Sequence, residues 1–193
     1  MPAARESLLD AARASLARRP WPAVRMVDVA ALAGVSRQTL YNEFGSKDGL
    51  ARSLVRRETD AYLAGAERAL AAGGLPALAD WTVTSAQGNA LLRAVLTGYG
   101  TDGLPMPPRA AVRSTSPVPA QRRADGPLPS PAELVALVRD RALAVLAPGN
   151  ADTAGRAALS HDCEIALRLA LSCLLAPAGE GGAAGLVRGA VGS

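Results

Sequence analysis

The sequence VRMVDVAALAGVSRQTLYNEFGSKDGL, residues 24–50, decides how this chain is interpreted. It contains two short helix-forming segments, about 26–33 and 37–44, with only three residues between them. The first of these three, Gly34, suits a left-handed helix stop. The last, Ser36, can accept a bond from a backbone N–H in the next turn and so cap the second segment. A break this short between two helices is typical of a helix-turn-helix.

The second segment has one apolar side and one polar side. At 100° per residue Leu40 and Phe44 lie together, whereas the polar residues around them point away. We therefore expect the apolar pair to pack in a core and the polar side to contact a ligand. The residues on the polar side, its flank and the N-terminal end of the segment are Arg37, Gln38, Thr39, Tyr41 and Asn42.

These residue types are suited to reading DNA. An arginine can offer two donors to guanine, Gln38 and Asn42 can each pair with adenine, and the Thr39 methyl can contact thymine. The Tyr41 hydroxyl and the Lys47 ammonium are better suited to phosphates, which fix the register without specifying sequence. A short amphipathic helix that merely exposes polar residues is the alternative interpretation.

The rest of the chain also predicts helices, and the fold class that we expect is all-α. A first amphipathic helix ends near Pro20, and a long one, capped by Ser46, runs from Lys47 to about Ala72, where two glycines and a proline stop it. Further helices are predicted over about 77–96, 131–147 and 152–176. Eight prolines between residues 105 and 131 exclude a long helix there; this stretch is either a surface loop or a mobile cover over a ligand cavity.

Composition limits the class of protein. Of 193 residues, 49% are hydrophobic and only 3% are aromatic, which favours helices packed through aliphatic side chains. The net charge is +4, and all of the excess lies in residues 1–58, which hold ten basic and six acidic groups and leave 11 of each sign elsewhere. A polyanionic partner is expected at that end. No stretch reaches the roughly 20 apolar residues of a membrane span, and no secretory signal begins the chain, so we expect a cytoplasmic location.

Enzymatic chemistry has little support in this sequence. His161 is the single histidine, so most general-base schemes and His-containing metal sites are excluded, and no cofactor is expected. Cys163 and Cys173 lie ten residues apart in one predicted helix, about 15 Å along its axis, and cannot bridge one another. They are interpreted as small buried apolar residues, with redox sensing as the alternative.

Residues 5–58 resemble the DNA-binding domain of the TetR family of bacterial transcriptional regulators. The resemblance is carried by Val29, Ala30, the run AGVS at 33–36, the run TLY at 39–41, Phe44, and the Ser-Lys pair at 46–47. Arg25 stands where the family commonly has a threonine that caps the second helix and meets phosphate; arginine keeps the phosphate contact but loses the cap. The resemblance implies a DNA-binding domain over residues 1–46 and a ligand-binding and dimerisation domain over 47–193.

The resemblance also implies the partners. They are a palindromic double-stranded DNA operator, a second copy of the chain and a small-molecule effector, and the protein is expected to act as a repressor; a ligand-independent or architectural DNA-binding protein is the alternative. The DNA contacts implied are Arg25, Ser36, Arg37, Gln38, Thr39, Tyr41, Asn42 and Lys47. Candidates for the effector cavity, each also interpretable as core or loop filling, are Tyr62, Trp81, Tyr99, Met106 and His161.

The segment 165–176 is the candidate dimer interface. It is apolar almost all round, with Arg168 as its one charge, which indicates packing on two sides. One side would face its own domain and the other a second subunit, through Leu167, Leu171 and Leu174. Burial inside a larger monomeric core is the competing explanation.

Overall fold

The computed structural model of the chain describes residues 2–99, 104, 128–147, 149 and 151–191. Within these ranges every regular element is helical, which confirms the all-α class. None of the described helices is both long and apolar enough to cross a membrane. The elements are α1 (Pro2–Leu16), a 3-10 turn (Trp21–Ala23), α2 (Met26–Leu32), α3 (Arg37–Phe44), α4 (Lys47–Gln87), α5 (Ala90–Thr97), α6 (Pro131–Leu146), α7 (Thr153–Cys173) and α8 (Gly182–Val191).

The first three helices and the start of α4 share one core. Gly34, between α2 and α3, has φ 69°, the left-handed conformation that the sequence predicted for a helix stop. The turn is therefore a helix-turn-helix, as expected. Its core is filled by side chains from all four helices and from the 3-10 turn: Leu8, Ala12, Trp21, Val29, Leu40 and Leu50 are buried.

Helix α4 is broken where the sequence predicted its end. Gly73 and Gly74 leave helical geometry, and Gly74 takes φ 65°, which only a glycine adopts without strain. The chain then resumes the helix over residues 75–87, with Pro76 in its first turn, where a missing N–H costs no hydrogen bond.

The predicted helix over 77–96 is wrong as a single element. It stops at Gly88, and α5 begins after Asn89, whose side-chain oxygen accepts the N–H groups of Leu91 and Leu92 at 3.1 Å. Apolar residues at helical spacing continue across the break, so periodicity did not reveal it. An Asn N-cap following a glycine did carry the signal.

The last three helices all pack on α4. The predicted helices at 131–147 and 152–176 are confirmed as α6 and α7, which begin at a Ser130–Glu133 capping box and at an Asp152 cap. The sequence did not predict α8. Its N-terminus is capped from another helix, because Asp80 accepts the N–H of Ala184 at 2.9 Å, and so distant a partner leaves no local sequence signal.

The two segments of α4, before and after the break at Gly73 and Gly74, contact each other at Gly65. Gly65 is buried, and a Cβ built at this position would overlap the indole of Trp81. The Trp81 Nε1–H in turn donates to the carbonyl of Tyr62 at 3.3 Å. The absence of a side chain at residue 65 therefore allows the indole to lie against the helix backbone.

We expect Gly65→Ala to lower the free energy of unfolding by about 1–3 kcal/mol, since the added methyl overpacks a buried contact. Urea denaturation of the full chain measures this. Gly189→Ala is the matched control, because no atom lies within 4 Å of a Cβ there and helix propensity predicts a gain of up to about 1 kcal/mol. Equal stability of Gly65→Ala and the unchanged chain would contradict the packing described.

Candidate DNA-binding surface and effector cavity

Helix α3 is held by caps at both ends and by two buried side chains. The Ser36 Oγ accepts the Thr39 N–H at 3.0 Å, as predicted, and Gly45 ends the helix at φ 69°. Leu40 and Phe44 are buried beneath it. Since these anchors occupy one side, the opposite side of α3 faces solvent.

The predicted DNA-contacting side chains of α3 lie on that exposed side. Arg37, Gln38, Tyr41 and Asn42 are exposed, and Thr39 is half-buried with its hydroxyl 2.9 Å from that of Ser36. The Gln38 Nε2 donates to the Asn42 Oδ1 at 3.0 Å, which links the two amides one turn apart. This bond leaves Gln38 Oε1 and the Asn42 amide N–H groups available, so the pair retains both acceptors and donors for a base edge.

Two predicted phosphate contacts lie outside α3. The half-buried Lys47 donates from Nζ to the carbonyl of Pro22 at 3.0 Å and lies 5.4 Å from the centre of the Trp21 ring. The ammonium is thereby positioned beside the loop that precedes α2. Arg25 is exposed at the N-cap of α2 and makes no capping hydrogen bond, as its chemistry predicts.

A group of arginines beside this surface was not singled out from the sequence. Arg5 lies 4.8 Å from the centre of the Phe44 ring, donates to Ser53 Oγ at 3.2 Å and approaches a carboxylate oxygen of Glu43 at 3.8 Å. The pairing explains how an acidic residue is accommodated at the end of α3. With Arg52 and Arg56 these residues line an open groove. The one signal in the sequence was basic residues four apart on α4.

An apolar cavity lies between α4, α5, α6 and α7. It has a volume of about 10 Å³ and is lined by Tyr62, Leu96, Pro131, Leu134, Val135, Val138, Leu167 and Leu171. The hydroxyl of Tyr62 lies 3.0 Å from that of Thr82, and burial raises the pKa of Tyr62 to about 12. The phenol therefore stays neutral at physiological pH, and the walls of the cavity carry no charge.

Of the four candidate cavity residues that the structure describes, it brings Tyr62 alone to this cavity. Trp81 packs on Gly65 instead, Tyr99 is 64% exposed, and His161 is exposed on α7. His161 lies outside the cavity because it is two residues from the buried Cys163, on the opposite side of the helix. Met106 lies outside the described residues. The lining aliphatics were missed because they resemble ordinary core residues in sequence.

Both cysteines are free and buried, as interpreted from the sequence. Burial raises the pKa of the Cys163 thiol to about 11. The thiol therefore stays protonated near neutral pH, and only its thiolate would be a strong nucleophile.

The three candidate interface leucines have different environments. Leu167 is only 2% exposed and lines the cavity, so it belongs to the core of its own chain. Leu171 is half-buried between the cavity and a surface groove along α6 and α7. Leu174 is also half-buried, and the neighbouring Leu175 is 77% exposed.

The fold and the exposed side of α3 define the class of protein. A short turn joins two helices, the second of which presents polar side chains over a buried apolar pair, and a helical domain with an internal cavity follows. This is a helix-turn-helix protein of the DNA-binding type. Residues 8–54 match the family model described as "Bacterial regulatory proteins, tetR family". The match places the DNA-binding part of the chain, residues 8–54, among domains of this family.

A sequence likeness to a curated protein is confined to the same part of the chain. The HTH-type transcriptional regulator AlkX of Mycobacterium tuberculosis is 54% identical over 56 residues, which are 29% of this chain and 26% of that protein. The chain thus matches about a quarter of the length of this curated relative.

Solved structures are similar over the whole length. A tetR-family transcriptional regulator from Streptomyces coelicolor has a TM-score of 0.58 at 21% identity and covers 99% of this chain and 78% of its own. A putative TetR-family transcriptional regulator from Rhodococcus sp. has a TM-score of 0.57 at 19% identity, covering 100% and 98%. These similarities establish a shared fold across both parts of the chain.

We expect Ser36→Ala to lower the free energy of unfolding by about 1 kcal/mol, because the Thr39 N–H loses its capping acceptor. Urea denaturation monitored by circular dichroism provides the measurement. Ser7→Ala is the control, since the Ser7 hydroxyl only donates back to the carbonyl of Ala3 within α1. Equal losses in the two variants would show that Ser36 has no special role as a cap.

Proposed function

We propose that this protein is a transcriptional regulator that binds a palindromic DNA operator as a homodimer. The observation that carries the proposal is the exposed polar side of α3, fixed in place by the burial of Leu40 and Phe44. High identity to a transcriptional regulator over the DNA-binding part of the chain supports the same function. Because a DNA-binding role requires access to the chromosome, we also propose a cytoplasmic location.

In this proposal α3 enters the major groove. Arg37 contacts guanine, the linked Gln38 and Asn42 contact adenine, and the Thr39 methyl contacts thymine. Tyr41, Lys47 and Arg25 contact the flanking phosphates, while Ser36 holds the N-terminal end of α3 at the groove. In a homodimer the two copies of α3 would meet half-sites about 34–36 Å apart, or a multiple of that distance.

We further propose that the protein is a repressor released by a small apolar or weakly polar effector. The cavity beside Tyr62 supports this, since its walls are aliphatic apart from one neutral phenol. Its volume of about 10 Å³ is far below the roughly 300–1,000 Å³ typical of ligand pockets. Effector entry therefore requires the surrounding helices to move apart, which provides the conformational change that regulation needs.

A ligand-independent DNA-binding protein is the second candidate. It would need the same α3 surface but no cavity, so the internal apolar space favours the effector-controlled regulator. The two are distinguished by whether any small apolar compound weakens binding to DNA.

Selection of duplexes from a random pool with the full chain tests the DNA-binding function. We expect a palindromic consensus, and we expect Asn42→Ala to reduce discrimination at one position of each half-site by about 1–3 kcal/mol.

Lys47→Ala should instead weaken binding to all sequences alike, and it should reduce the slope of the logarithm of the binding constant against the logarithm of salt concentration by about 1. Arg156→Ala, on the exposed start of α7, is the control and should change neither. A pool without consensus would contradict the proposal.

For the homodimer, we propose the outward side of α7 around Leu171 and Leu174, extended by the exposed Leu175. Leu167 is not included, because it is buried within its own chain.

We expect Leu175→Glu to dissociate the dimer, since it places a charge in an apolar contact without disturbing the monomer core. Sedimentation velocity measures the change in mass. Leu32→Glu, at an exposed leucine of α2, should leave the mass unchanged. If the Leu175→Glu variant sediments like the unchanged chain, the dimer interface does not lie at the end of α7.

A further inference from the structure

Glu58 on α4 is the one charged residue that the structure buries among residues 2–99, 104, 128–147, 149 and 151–191. Its side chain is 7% exposed. A carboxylate removed from water requires charged or hydrogen-bonding partners, because an unpaired buried charge costs several kcal/mol. The residues that contact the Glu58 carboxylate lie in different parts of the molecule.

One partner belongs to the domain that contains the cavity. The Asn89 Nδ2 donates to Glu58 Oε2 at 2.5 Å, while Asn89 Oδ1 caps α5 by accepting the N–H groups of Leu91 and Leu92. Asn89 therefore ties the start of α5 to the carboxylate. Nearly two turns further on, α5 contributes Leu96 to the wall of the cavity.

The other partners connect Glu58 to α1, either directly through Arg13 or through Arg57, its neighbour on α4. The Arg13 Nε of α1 lies 3.5 Å from Glu58 Oε1, and Arg57 NH2 lies 3.9 Å from the same oxygen. Arg57 also pairs with Glu6 at 3.4 Å and Asp10 at 2.8 Å, both on α1. Since α1 packs with α2 and α3 in one core, its position affects the position of the recognition surface.

We propose that Glu58 is the positioning residue that couples the cavity to the DNA-binding domain, through Asn89 on one side and Arg13 on the other. Widening the cavity displaces α5 and draws the Asn89 amide away from Glu58. The buried carboxylate then lacks a donor and shifts toward its arginine partners, which changes how α1 lies on α4. This inference rests on the proposed function and adds the route by which the effector acts.

Coupling between sites is reciprocal, so DNA can be used to test the route although the effector is unidentified. The probe is a palindromic duplex selected from a random pool by the full chain. The measurement is amide hydrogen exchange across residues 90–97, with and without the duplex. For the unchanged chain we expect the duplex to change exchange in α5 by at least about fivefold, the lower end of typical coupling.

Asn89→Ser tests the cavity side of the route. Serine is as good a cap for α5 as asparagine, but its short side chain cannot reach Glu58. We expect the variant to bind the duplex and to show the same protection in α3, while the change in α5 disappears. Asp152→Ser is the matched control, because it makes the same kind of cap replacement at α7, outside the Glu58 network. This variant should retain the full change in α5.

Arg13→Met tests the other side with the α5 cap untouched. Methionine retains apolar length and removes the ion pair, so we expect loss of the α5 response here as well. An α5 response that persists in either variant, or is absent in the unchanged chain bound to the duplex, would overturn the inference while leaving the proposed function standing. Failure to select any duplex would reject the proposed function, and this inference with it.

Discussion

The burial of Leu40 and Phe44 is the packing interaction on which the proposed DNA-binding function depends. Helix α3 has only eight residues, too few to be stable alone in water, so it forms because these two side chains are buried in the core that it shares with α1, α2 and α4. The same packing determines which residues remain outside. The surface proposed to contact DNA is therefore a consequence of the core, and the Ser36 cap and the Gly45 stop define its length.

The DNA-binding part was predictable from sequence because its determinants are local. Gly34, Ser36 and the spacing of the apolar residues lie within a few positions of one another, and each has one good structural explanation. Two other features were missed because their determinants are not local. Apolar spacing continues across the break at Gly88, so it gave no sign that the helix stops there. Helix α8 is capped by Asp80, which lies 104 residues before Ala184 in the chain.

The cavity was only partly predictable for a related reason. Large or polar residues were expected to line it, but among the residues that the structure describes only Tyr62 does so, and the other described lining residues are aliphatic. A leucine that faces a cavity and one that fills a core have the same local sequence pattern, so only the packing of distant helices distinguishes them. Leu167 illustrates this, because its apolar surroundings in sequence suited an interface as well as the interior that it occupies.

In the proposed regulator, the small size of the cavity also determines how an effector would be sensed. If the open form is rare in the absence of ligand, the apparent dissociation constant exceeds the intrinsic one by the inverse of the open fraction. A sensor of this kind has a detection threshold set by the stiffness of its helical walls as much as by complementarity to the molecule detected. Substitutions remote from the binding surface could then retune the concentration at which a gene is switched, leaving chemical selectivity intact.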